Sequence, residues 1–207
     1  MSEPTFSEPR LALNRIYTRT GDSGDTHLAG GQLIAKDDPR IESYGAVDEL
    51  NAFVGVARTT AEASPGLASL AQILKRIQHE LFNLGSILAT LPEDVHPKQA
   101  RITAAEITQL EHDIDAANES LPALRSFVLP GASPLDAELH VARTVCRRAE
   151  RELVRLTRRG SVPDEAVRYL NRLSDALFVW SRWVNHVQNI PETLWQPNAA
   201  SGGQTRE

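Results

Sequence analysis

Leu70-Ala71-Gln72-Ile73-Leu74-Lys75-Arg76-Ile77-Gln78-His79-Glu80-Leu81-Phe82-Asn83-Leu84-Gly85-Ser86-Ile87-Leu88 decides the fold of this chain. Leu70, Leu74, Ile77, Leu81, Leu84 and Leu88 succeed one another at steps of 4, 3, 4, 3 and 4, which lays all six along one stripe of an α-helix. Pro92 to Pro97 ends the run. Upstream, Ile41, Tyr44, Val47, Leu50, Val54 and Ala57 recur at helical steps from Asp38-Pro39 until Ser64-Pro65-Gly66. Downstream, Ile107, Leu110, Ile114 and Ala117 carry a third helix with Pro122 beyond it. Ser133 then reads as an N-cap with Pro134 at the first helical position. That fourth helix buries Leu139, Ala142, Cys146, Ala149, Leu153 and Leu156 and stops at Gly160. A fifth begins near Ser161-Val162-Pro163 and buries Leu170, Leu173, Leu177, Trp180, Val184 and Val187. The expectation is an all-α chain: one antiparallel five-helix bundle over residues 1–190 with short connections. Residues 1–17 read as a flexible arm and 191–207 as a disordered polar tail.

Composition supports this reading and removes several functions. An apolar content of 41% with only 5% aromatics, in a chain of 207 residues, favours helices. A net charge of −5 argues against a general nucleic-acid binder. No apolar run reaches membrane-spanning length, and Met1-Ser2-Glu3-Pro4 lacks the basic and apolar regions of a signal peptide. One cysteine, Cys146, excludes an intramolecular disulfide framework and makes the cytoplasm the default compartment. Its place in an apolar stripe marks it as packing rather than nucleophile. The six histidines show no HxxxH or Cys–His spacing, so a zinc site is not expected. A di-iron bundle needs two Glu-x-x-His motifs, and only Glu93–His96 fits.

Two regions carry chemistry. Thr18-Arg19-Thr20-Gly21-Asp22-Ser23-Gly24-Asp25-Thr26 combines two glycines, whose backbone can form an anion-binding concavity, with hydroxyls, a cation, and two carboxylates able to hold a metal-bound water. The GxxxxGK[ST] signature is absent, and the same residue types also build ordinary turns. The second region is helical. Arg143, Arg147 and Glu150 form a polar ridge beside the buried stripe of the fourth helix, and Asn171, Asp175, Phe178 and Arg182 do likewise on the fifth. On the first helix Asp48 lies three residues before Asn51. Between 143 and 159 seven arginines face two glutamates, a cation field suited to polyphosphate. On spacing alone, Arg151, Arg155, Arg158 and Arg159 only complement the helix macrodipole, and for Arg143 and Arg147 the two readings balance.

Taken together the motifs shift that balance. Arg15-Ile16-Tyr17 through Thr26, Tyr44-Gly45-Ala46-Val47-Asp48-Glu49-Leu50-Asn51, Phe127-Val128-Leu129-Pro130-Gly131, Ala142-Arg143-Thr144-Val145-Cys146-Arg147-Arg148-Ala149-Glu150-Arg151 and Tyr169-Leu170-Asn171-Arg172-Leu173-Ser174-Asp175 resemble, in order, the motifs of the PduO-type ATP:cob(I)alamin adenosyltransferases. The resemblance runs from about Arg15 to Asn189. It implies a ferritin-like trimer of five-helix bundles holding ATP and corrinoid at subunit interfaces. It also implies that cob(I)alamin attacks the 5′-carbon of ATP and triphosphate leaves, with Mg²⁺ carried mainly by the phosphates and no metal ligands assigned to the protein. On the same basis a loop over 15–36 supplies ATP contacts from Thr18, Arg19, Thr20, Gly21, Asp22, Gly24, Thr26 and Lys36. Arg147, Glu150, Arg151 and Asn171 complete the ATP group. Arg143, Arg147 and Asp48 are the catalytic set, with Arg143 pairing Asp48 across an interface, and Phe127 presses on the lower face of the corrin. A reductase and an adenosylcobalamin-dependent acceptor enzyme are the implied partners. The alternative is a corrinoid carrier or ATP-binding trimeric module without turnover. Two positions depart from the family pattern: Ala132 stands where a second glycine is common, and Asp25 where a smaller or neutral residue is common.

Overall fold

Helix α1, Pro39–Glu62, opens as its sequence dictates: Asp38 accepts a hydrogen bond from the Arg40 N–H at 2.7 Å, and Pro39 fills a position that needs no donor. It is followed by α2 (Ala68–Leu88), α3 (Ala104–Asn118), α4 (Pro134–Thr157) and α5 (Asp164–Val187). The computed structural model describes residues 17, 19, 21–160, 162–197 and 199. Helix α4 packs between α1 and α5, α2 lies on the far side of α1, and α3 on the far side of α5. The six-residue stripe of α2 is buried throughout, and so is the predicted stripe of α4. A bundle core of this kind requires no strand. Among the described residues no helix is long and apolar enough to cross a membrane.

Several expectations need correction. Residues 25–35 are not a plain loop: β1 (Asp25–His27) and β2 (Leu33–Ala35) pair antiparallel, Asp25 opposite Ala35. Gly31, at φ 91°, makes the reversal, since a left-handed residue closes a tight hairpin without a Cβ clash. The hairpin is docked by the Ala29 N–H donating to the Ala89 carbonyl at 2.9 Å and by the buried Leu28. Only the α1–α2 and α4–α5 connections are short; residues 89–103 and 119–133 form long ones. Helix α5 starts at Asp164, while Ser161, named above as its approach, lies outside the described residues. Val187 is half-buried rather than buried, because it sits in the last turn of α5.

The tail does not leave the bundle at Pro191. Leu194 bridges Val128, the Trp195 N–H donates to the Phe127 carbonyl at 2.7 Å, and the Leu129 N–H donates to the Thr193 carbonyl at 2.8 Å. These bonds lash residues 193–195 to the segment that leads into α4. Arg182, expected on a polar ridge beside the buried stripe, is itself only 6% exposed: its Nε and an Nη fork onto the Glu192 carboxylate, and the same Nη reaches the Pro122 carbonyl at 3.1 Å. A buried guanidinium is tolerable only when its donors are met in this way.

Candidate active site

The arginine-rich half of α4 does two things with one helix. Its small residues Ala142, Cys146 and Ala149 are fully buried, which holds the helix tight to its neighbours and fixes where the long side chains emerge. Arg147, Glu150 and Arg151, with Asn171 from α5, then line an open cleft of about 450 Å³. The Asn171 amide donates to Glu150 Oε1 at 3.0 Å, tying the two helices together at the cleft wall. Arg155 and Arg158 line this wall as well. Arg155 is also paired with Glu152 at 2.7 Å, and Arg148 with Glu49.

Beside it lies a second cleft of about 490 Å³, formed by Arg155, Arg158 and Arg159 facing Asp37, Pro39 and Glu42 at the start of α1. The N-terminal loop runs directly into that point. Within it the Lys36 ammonium donates to the Gly21 carbonyl at 2.6 Å, and the Lys36 N–H donates to the Gly24 carbonyl at 2.8 Å. A Cβ on Gly21 would stand 3.1 Å from Lys36 Nζ and 3.2 Å from the Asp25 carbonyl oxygen, so a side chain there would push these neighbours back by a few tenths of an ångström. Gly24 takes φ 96°, and Arg19 takes φ 61° with its guanidinium 5.7 Å from the centre of the Tyr17 ring. Thr26 sits in β1, and Asp22 is exposed. Thr18 and Thr20 lie outside the described residues. The hairpin therefore collects Gly21, Gly24, Thr26 and Lys36 at the end of the bundle where the arginines of α4 emerge.

Arg143 sits apart from the cleft. Its guanidinium lies 6.0 Å from the centre of the Phe178 ring, and its buried Nε has no hydrogen-bond acceptor among the described residues. Burial first, and then the neighbouring Arg147 charge, pull its pKa below the ordinary arginine value. Asp48 is exposed on α1, and the two form no ion pair within the chain. Phe127 stands before the other end of α4, 75% exposed, with its ring edge-on to Trp195 at 6.2 Å between centroids. Leu129, Leu194 and Trp195 are exposed around it, which makes an apolar surface patch.

Sequence patterns did not mark Trp195 or the Asp136–His140 pair. Asp136 is fully buried and accepts the Gly131 and Ala132 N–H groups at 2.7 and 2.8 Å. Burial would raise its pKa, but the His140 contact and the two amides outweigh that and hold it below the ordinary aspartate value. The available signal was its position three residues after the Ser133 cap, where a carboxylate suits a helix start.

A profile described as cobalamin adenosyltransferase matches residues 16–184. The chain belongs to that family. It is 42% identical over 185 residues to the corrinoid adenosyltransferase of Bacillus subtilis, covering 89% of this chain and 94% of that protein. To the corrinoid adenosyltransferase of Mycobacterium leprae it is 44% identical over 193 residues, covering 90% and 98%. Among solved structures, a variant PduO-type ATP:corrinoid adenosyltransferase from Lactobacillus reuteri complexed with cobalamin and ATP superposes with a TM-score of 0.82 at 37% identity, covering 88% of this chain and 99% of that one. The adenosyltransferase resemblance and the helical fold expected from the sequence are thus borne out.

Proposed function

We propose that this adenosyltransferase moves the 5′-deoxyadenosyl group of ATP onto cob(I)alamin, releasing triphosphate. One observation carries the reading: the glycine hairpin and the α4 arginines arrive at the same end of the bundle, although more than a hundred residues separate them. In the reaction the cobalt electron pair forms the Co–C5′ bond as the C5′–O bond breaks, and the electrons of that bond leave with the triphosphate. Reduced cobalt is itself the nucleophile, so the protein orients the partners and stabilises the leaving charge.

Arg147 and Arg151 supply fixed cations along the cleft, and Lys36 supplies another once a phosphate replaces the Gly21 carbonyl. Mg²⁺ enters with the nucleotide as the counter-ion of its phosphates. Glu150 and Asn171, already bonded to each other, offer an oxygen and an amide to the nucleoside. Phe127 gives the corrin an apolar ring to rest on and keeps an axial base from the cobalt. Its patch and the arginine cleft lie toward opposite ends of α4, so one chain offers the corrin and the polyphosphate separate surfaces. A homotrimer joins them: the unpaired Arg143 of one copy meets Asp48 of the next, closing a site shared by two chains. A cytoplasmic location, a reductase that supplies cob(I)alamin and an acceptor enzyme for the product complete the proposal.

The test is an anaerobic assay with ATP and chemically reduced cobalamin, following loss of the cob(I)alamin absorbance. Wild-type protein is expected to turn over. Arg147→Ala is expected to lose about 30- to 1,000-fold in kcat, equivalent to about 2–4 kcal/mol for one preorganised charge donor. Unchanged kcat in that variant refutes the role of Arg147. Wild-type protein that gains melting temperature with ATP but never consumes cob(I)alamin is a carrier instead.

A further inference from the structure

The turn between Phe127 and α4 is held more firmly than a connection requires. Gly131 takes φ 110°, and the next residue is Ala132. The N–H groups of both donate to one oxygen of Asp136, at 2.7 and 2.8 Å. Its other oxygen lies 3.4 Å from His140 Nε2, and that nitrogen lies 3.2 Å from Ser181 Oγ on α5. The His140 ring packs edge-on against Phe178, at 6.1 Å between centroids. Ser133 adds a bond of 2.8 Å from its hydroxyl to Asn185 Oδ1. Asp136, Ser133, His140, Ser181 and Asn185 are all buried.

An aspartate at this place in a helix ordinarily serves the helix, meeting orphan N–H groups of its first turn or its dipole. Here the two donors precede the N-cap Ser133, so they are not orphans of α4 at all. The carboxylate is instead fastened to the preceding turn, by charge-assisted bonds in a dry site where such bonds are strong. On the other flank the tail bonds hold Phe127 and Leu129. The backbone on both sides of Pro130 is therefore fixed, while the Phe127 ring projects into solvent. That is the arrangement of a contact surface whose ordering is complete before the ligand arrives.

We propose that Asp136 is a positioning residue for the corrinoid: it pins the backbone at Gly131 and Ala132 and so sets the stance of Phe127. This rests on the reading of Phe127 given under Proposed function. The lock replaces, by a carboxylate, the freedom that a second glycine at position 132 would give the turn.

The test uses full-length protein carrying Asp136→Ala and, as the milder change, Asp136→Asn, which keeps an acceptor and the side-chain shape. Three quantities are measured: amide hydrogen exchange at Gly131 and Ala132, KM for cobalamin against KM for ATP, and KM for a corrinoid that lacks the lower nucleotide base. Exchange at both amides should quicken at least tenfold in Asp136→Ala, and KM for cobalamin should rise about tenfold, the scale of losing one charged hydrogen bond. KM for ATP should stay within twofold, and the base-free corrinoid should suffer less, because nothing has to be displaced from its cobalt. Should Asp136→Ala fail to fold, Asp136→Asn carries the same comparison with smaller shifts. The proposal is overturned by unchanged exchange, by quickened exchange with unaltered KM for cobalamin, or by equal rises in both KM values. Exchange is read without turnover, so an inactive wild-type protein would be seen as failure of the proposed reaction, and the positioning role would fall with it.

Discussion

Replacing Arg182 by Met removes a clamp whose geometry sets the size of the effect. The guanidinium donates to Glu192 at 2.9 and 3.3 Å and to the Pro122 carbonyl at 3.1 Å while remaining 6% exposed. Met fills most of the same volume, so the loss is polar rather than a cavity. Pro122 is exposed, so water partly replaces the donor its carbonyl loses, and that share is about 0.5–1.5 kcal/mol. Glu192 is partly exposed and can turn to water, which keeps its share near the low end of the 1.5–3 kcal/mol typical of a charged hydrogen bond. A total of about 2–3 kcal/mol follows, or about 4–12 °C in Tm at the 2–4 °C per kcal/mol usual for a chain of this size. Arg182→Lys should recover little, since an ammonium cannot fork onto a carboxylate. Urea and thermal unfolding followed by circular dichroism measure both. An Arg182→Met protein within 0.5 kcal/mol of wild type would refute the clamp and with it the account of the tail.

Two further outcomes follow from burial and charge. Burial drives the Cys146 thiol far above its ordinary pKa, so it should resist alkylating reagents in the native protein and react only after unfolding; rapid native labelling at pH 8 would contradict its packing. Asp136 has a depressed folded pKa, so its contribution to stability is complete above the unfolded value of about 3.9 and disappears as pH falls through the folded one. Wild type should therefore lose more stability than Asp136→Asn between about pH 5 and 2 in urea titrations, and parallel losses would disprove the linkage.

How much of this was legible depended on the distance over which each signal acts. The α2 stripe was legible because six apolar residues repeat within one element, and the Ser133-Pro134 start of α4 because its cap chemistry is local. The hairpin escaped because three-residue strands are too short to display a period. Pro191 reads as a breaker, and nothing nearby in sequence announces that Glu192 will meet Arg182 or that Leu194 will pair with Val128. Phe178 and Arg182 looked like one polar ridge, yet Arg182 turns inward because the carboxylate that satisfies it lies beyond the helix. Asp136 went unmarked although its residue type suits a helix start, and the direction of the Gly131 and Ala132 amides is a property of the folded backbone.

The double duty of α4 restricts how this protein can change. Successive residues of an α-helix are turned by about 100° and advanced by 1.5 Å. Deleting a single residue between Ala142 and Cys146 would swing Arg147 and Glu150 by that angle into the places now filled by Cys146 and Ala149. No sliding adjustment exists by which the cations shift slightly and the interior stays filled. The helix behaves as an indexed rail: its inward notches dictate the positions of the outward teeth, and variation in ligand preference must come from the loops at its two ends.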